Sequence, residues 1–169
     1  MSRTGVAMAA RRKKGNYFQR SEEAPAPLVA RVERRVSFNE VDVMGIVWFG
    51  RYPVFLEEGS AELGRRCGLS YKDFVDANLA APIAQLHIDY HQPLVLDELF
   101  TVTATLVWSE GARLNTEYSL VKEDGRIAAT AYSVQMFIGG LSGEPCLTSP
   151  ELLERCRERW RAGELTWLR

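Results

Sequence analysis

The chain has 169 residues, enough for one domain with a single core, and its 46% hydrophobic and 25% charged residues with a net charge of -1 describe a globular protein. No apolar run approaches the roughly 18 residues that span a bilayer, which excludes a membrane-crossing helix. Three cysteines, Cys67, Cys146 and Cys156, form no CxxC pair and no zinc spacing. Their odd number argues against a disulfide framework and for a reducing cytoplasm.

Charge is unevenly placed. Residues 1–20 carry six basic side chains (Arg3, Arg11, Arg12, Lys13, Lys14, Arg20) and no acid, leaving 15 basic against 22 acidic groups in the remainder. The run "RRKK" has no apolar signal-peptide core beside it, and residues 1–28 are expected to form a basic, solvated tail that ends in the linker "SEEAPAPL". A body this acidic suits neither nucleic acid nor an anionic membrane, and no such partner is expected.

In chain order, Val29–Phe38 alternates apolar and charged residues and predicts a half-buried strand. A loop with Asp42 and Gly45 follows. Pro53 then opens a helix expected over 52–66, with Gly68 at its C-terminus and Gly59 in its middle to allow close approach to a sheet. A short helical patch is expected near Tyr71–Ala77. Four strand-like runs come next: "APIAQLHIDYHQPL", "LFTVTATLVWSE", "ARLNTEYSLVKE" and "GRIAATAYSVQMFI". "SEGAR" and "KEDGR" read as tight hairpins between them. "TSPELLERCRERW" reads as a helix with Ser149 as cap and Pro150 at its first position. The expected class is α+β: a five-stranded antiparallel sheet wrapped around a central helix, plus a C-terminal helix, within residues 29–162, with 163–169 as a tail.

The stretch "FNEVDVMGIVWFGRYPVFLEE" carries the chemistry. Its order of Asp42, Gly45, Ile46, Val47, Trp48, Phe49 and Tyr52 resembles the hotdog-fold acyl-CoA thioesterases of the 4-hydroxybenzoyl-CoA thioesterase family. The likeness continues through "CGL", "API", "DELFTVTA" and "EDGRIAATA", so it covers about residues 31–156. The resemblance implies hydrolysis of an acyl-CoA thioester, aryl or fatty. Asp42 would serve as nucleophile or general base, and the backbone N–H groups of Phe49 and Gly50 would polarise the carbonyl. Gly45, Trp48, Tyr52 and Glu57 would support them, and Arg113 and Arg126 would be candidates for the coenzyme A phosphates.

These residue types fit the task. A desolvated carboxylate gains reactivity, and Val41, Val43, Met44 and Ile46 are expected to surround Asp42 with apolar side chains. A helix N-terminus offers unpaired N–H groups and a favourable dipole to the charge that develops on a thioester oxygen. His87, Asp89 and His91 share one face of a strand, where a polar outer surface or a subunit contact is expected rather than a metal site. The resemblance implies no metal or organic cofactor, and a homodimer or homotetramer whose sites lie between subunits. An acyl-carrier-protein thioester remains an alternative substrate, and a non-catalytic hotdog that binds acyl thioesters as a sensor or scaffold is the alternative function.

Overall fold

The computed structural model describes residues 16–165. Strand β1 (Leu28–Arg35) is followed by a loop and the long helix α1 (Tyr52–Cys67), then the short helix α2 (Tyr71–Asp76) and β2 (Leu79–Ala80). Strands β3 (Ile83–Tyr90), β4 (Leu99–Val107), β5 (Arg113–Lys122) and β6 (Ile127–Met136) come next, and β7 (Ile138–Gly139) and α3 (Glu151–Arg161) close the chain. The main sheet is antiparallel in the order β1-β4-β5-β6-β3, so β1 and β3 are its edges.

The sheet wraps α1 because period-2 alternation puts one set of small and branched side chains beneath the helix. In register across four strands, Ala30, Ala104 and Tyr118 line up with Ala131, and Val32, Val102 and Leu120 with Ala129. Phe55, Leu56 and Leu63 of α1 sit on this floor, each under 5% exposed. The alanines let the helix approach. A Cβ on Gly59 would meet Val102 Cγ1 at 3.1 Å and Ala104 Cβ at 3.2 Å, so the expected close approach occurs there. Gly68 ends the helix at φ +78, the left-handed conformation a glycine tolerates. No described helix is long and apolar enough to cross a membrane.

Several expectations shift. β1 stops at Arg35, and Phe38 is 83% exposed instead of half-buried in a strand. The reason is a capping box: the Ser37 N–H donates to Glu40 Oε2 at 2.8 Å and turns the chain. Ser149 does not cap α3, because its hydroxyl accepts from the Arg157 guanidinium at 2.6 Å and Pro150, extended at ψ 152, holds the cap position. The pairing of β2 with β7 had no signal in two-residue strands.

The segment expected to be a tail is partly docked. Residues 1–15 lie outside the described residues, but Tyr17, Phe18 and Arg20 lie on the outer face of the sheet. There the Glu117 carboxylate accepts from the Tyr17 N–H (2.6 Å), the Phe18 N–H (2.9 Å) and Arg20 (2.8 Å). The Tyr17 hydroxyl sits 2.7 Å from both Asp89 Oδ2 and Thr130 Oγ1. At the other end, Leu165 is buried in the core, inside the stretch expected to be a C-terminal tail; residues 166–169 lie outside the described ones.

Candidate active site

Asp42 begins a tight hairpin. Val41 bridges to Val47, the Asp42 N–H donates to the Ile46 carbonyl at 2.8 Å, and Gly45 turns the chain at φ +73. The hairpin is held on both flanks. The Val47 N–H donates to Leu94 O (2.8 Å) and Leu96 N–H to Gly45 O (3.0 Å) on one side, and the Trp48 N–H donates to Glu40 O (3.0 Å) on the other. Glu40 is itself fixed, being 4% exposed and bonded through Oε1 to Arg34 at 2.7 Å. Arg34 also pairs with Glu58 and lies 5.0 Å over the Phe55 ring, so Glu58 is an anchor for β1 rather than a free acid.

The return arm of the hairpin runs directly into the head of α1. The turn Phe49–Arg51 leads into the helix, and its first hydrogen bond is Arg51 N–H to Trp48 O at 2.9 Å. The N–H groups of Phe49 and Gly50 precede that bond, and among the described residues neither donates to a backbone carbonyl. They are the donors that a helix end leaves unpaired. The Trp48 ring lies over Gly50 so closely that a Cβ there would fall 2.3 Å from it.

Tyr52 and Tyr90 wall the helix head. Tyr52 is 3% exposed, and its hydroxyl bonds to the Leu94 backbone, the residue that also accepts from Val47. Tyr90, on β3, meets Tyr52 edge-on with ring centroids 4.9 Å apart and donates its hydroxyl to the Phe49 carbonyl at 3.1 Å. Burial pushes both phenols above their ordinary pKa, so both stay protonated at neutral pH.

The remaining candidates are distributed as follows. Asp42 Oδ1 accepts from the Met44 N–H at 2.8 Å within its own turn. The apolar enclosure expected around it is absent from the single chain: Val43 and Met44 occupy the tip of the hairpin and point outward, 104% and 72% exposed. Glu57 lies five residues down α1 from Tyr52, about 7.5 Å along the axis, and faces Tyr71. Burial and that carboxylate push the Tyr71 hydroxyl up to about 12. Arg113 and Arg126 flank opposite ends of β5, a strand of 10 residues, so they do not converge within one chain. Arg126 pairs with Asp124 at 2.8 Å, and Arg113 donates to Ser109 Oγ at 3.1 Å. His87 and His91 bond to Asp89 (3.0 Å) and Thr130 (2.9 Å) on the outer face, away from the helix head.

Comparison with known proteins settles the family. The model of the thioesterase-like superfamily matches residues 36–156. The chain belongs to the thioesterase-like superfamily. An Aquifex aeolicus protein named as a candidate esterase is 32% identical over 95 residues, 56% of this chain and 74% of that one. A Bacillus subtilis protein, YneP, named as a candidate acyl-CoA thioesterase, is 26% identical over 117 residues, covering 69% and 85%. The DHNA-CoA thioesterase of Staphylococcus aureus superposes with a TM-score of 0.71 at 19% identity, over 83% of this chain and 97% of that one, and shares its fold. This thioesterase-like protein therefore has the hotdog fold and is a thioester hydrolase.

Proposed function

We propose that the protein is an acyl-CoA thioesterase that cleaves an aryl- or fatty-acyl-CoA. Asp42 acts as nucleophile or general base, and the Phe49 and Gly50 N–H groups hold the carbonyl oxygen. The observation that supports this is the continuity of the site: one hairpin, pinned on both flanks, carries Asp42 on its outgoing arm and delivers its return arm to the unpaired N–H groups of α1. As nucleophile, Asp42 bonds to the thioester carbon and the coenzyme A thiolate departs. Water then hydrolyses the anhydride and returns the carboxylate. As base, Asp42 takes a proton from the attacking water and the thiolate leaves as the carbonyl reforms. In both routes the helix-end donors face the oxygen on which charge develops.

The site is proposed to be completed by a second copy in a homodimer or homotetramer. β3 is a sheet edge with no partner strand on its outer side among the described residues. Val43 and Met44 of the hairpin, Trp48 and Phe49 before the helix head, and Leu86 on β3 are exposed apolar side chains. Pairing there would cover them and give Asp42 the apolar surroundings the single chain lacks. A reducing cytoplasm suits three unpaired cysteines.

One observation favours the non-catalytic alternative, in which the protein binds acyl thioesters as a sensor: Asp42 already serves its own turn through Met44. Free-thiol release from a panel of aryl- and fatty-acyl-CoAs and their acyl-carrier-protein counterparts separates the two. Turnover of one class supports the enzyme and names its substrate. Tight binding with no thiol release from any member supports the sensor.

A further inference from the structure

The Phe49 carbonyl and the Gly50 N–H belong to one peptide unit, and Tyr90 holds its other end. The hydroxyl of Tyr90 donates to Phe49 O at 3.1 Å, while among the described residues the Gly50 N–H, at the head of α1, donates to no backbone carbonyl. The geometry points to Tyr90 as a positioning residue for catalysis, which fixes and polarises the peptide whose N–H receives the thioester oxygen. This inference rests on the reaction proposed above and adds a residue to it.

Three observations carry the assignment. Tyr90 is the last residue of β3, so a strand of the main sheet, and not a loop, supports the hydroxyl. Its ring is held edge-on by Tyr52 at 4.9 Å, and Tyr52 is 3% exposed in the first turn of the same helix, so both ends of the contact are built on fixed elements. The peptide it grips lies in the turn Phe49–Arg51, where the Trp48 ring covers residue 50, a glycine with no side chain of its own to hold the peptide. A hydrogen bond accepted by a peptide carbonyl withdraws electron density from its nitrogen and strengthens the N–H as a donor, by about 10–30% per bond. That gain polarises the ground-state carbonyl weakly and stabilises the charged oxyanion of the tetrahedral intermediate more strongly. The contribution should therefore appear in kcat and leave substrate binding nearly unchanged.

Tyr90→Phe keeps the ring, its contact with Tyr52 and the strand, and removes only the hydroxyl. The expected result is a kcat lowered about three- to tenfold with KM within about twofold of the wild type. A second readout excludes a merely structural effect. A ketone analogue of benzoyl-CoA, with methylene in place of the thioester sulfur, cannot be hydrolysed, and its carbonyl stretch reports polarisation in the bound state by infrared difference spectroscopy. The stretch should lie below its free value in the wild type and move back toward it in Tyr90→Phe. An unchanged stretch, or an unchanged kcat, overturns the assignment. Because the analogue needs only to bind, this arm answers even if Asp42 proves not to be the catalytic carboxylate.

Discussion

Gly59 in α1 lies tightly against Val102 in β4: its missing Cβ would stand 3.1 Å from Val102 Cγ1. The contact marks where the helix beds most closely into the sheet. Gly59→Ala gains up to about 1 kcal/mol of helix propensity and meets two tight contacts, so its stability should stay within about 1 kcal/mol of the wild type. Gly59→Val has no such compensation and should cost about 1–3 kcal/mol by overpacking. Urea denaturation of both variants measures the pair.

Arg34 links β1 to both the helix and the loop before Asp42. Its side chain is 19% exposed and it faces the carboxylates of Glu40 and Glu58. Arg34→Ala leaves Glu40, 4% exposed, without its cation, a loss of about 3–5 kcal/mol for a buried pair. Arg34→Lys should rescue little, since a point charge cannot reproduce a fork that reaches two acids and lies over Phe55. Thermal unfolding of the two variants would show them close together if this is right.

Gly50→Ala tests the space beneath Trp48. A Cβ there would fall 2.3 Å from the indole, which is half exposed and would have to move aside. The expected outcome is a fall of at least about tenfold in kcat/KM, since a displaced donor of this type costs 10²–10³ in full. Stability should change by less than about 1 kcal/mol, read by the same denaturation assay.

The docked segment before β1 gives a pH signature. Burial pushes the Tyr17 phenol up to about 12 in the folded chain, against its ordinary 10 in the unfolded one. A raised folded pKa means that the contribution is fully present below pH 10 and is lost as pH climbs toward 12. Wild-type stability should therefore fall relative to Tyr17→Phe between about pH 10 and 11 and run parallel to it from pH 7 to 9.

Much of this was legible before the fold was known, and the reasons are local. α1 was expected over 52–66 and runs from Tyr52 to Cys67, because Pro53 and Gly68 mark its ends with strong backbone preferences. The hairpin at "KEDGR" announced itself through Gly125, which sits at φ +83. Asp42 stood out by its place in a motif, and its hairpin delivers the chain to the helix head. What was not legible depends on contacts distant in sequence. The bond from Tyr90 to Phe49 joins residues 41 apart, and the burial of Glu117 under Tyr17 joins residues 100 apart. Alternation placed Tyr90 on one strand face and Glu117 on the other, but no pattern in a single chain names the residue that faces them. The apolar setting expected for Asp42 failed for a related reason, since Val43 and Met44 sit at a turn tip where local sequence cannot supply a cover.

The central claim is that Asp42 performs the chemistry beside the helix head. It is tested most directly by thiol release from the best acyl-CoA substrate with the wild type and Asp42→Asn side by side, with assembly and far-ultraviolet dichroism as controls. The account predicts a fall in kcat of at least about a hundredfold in Asp42→Asn, with assembly and fold retained. Equal turnover in the two proteins would contradict it.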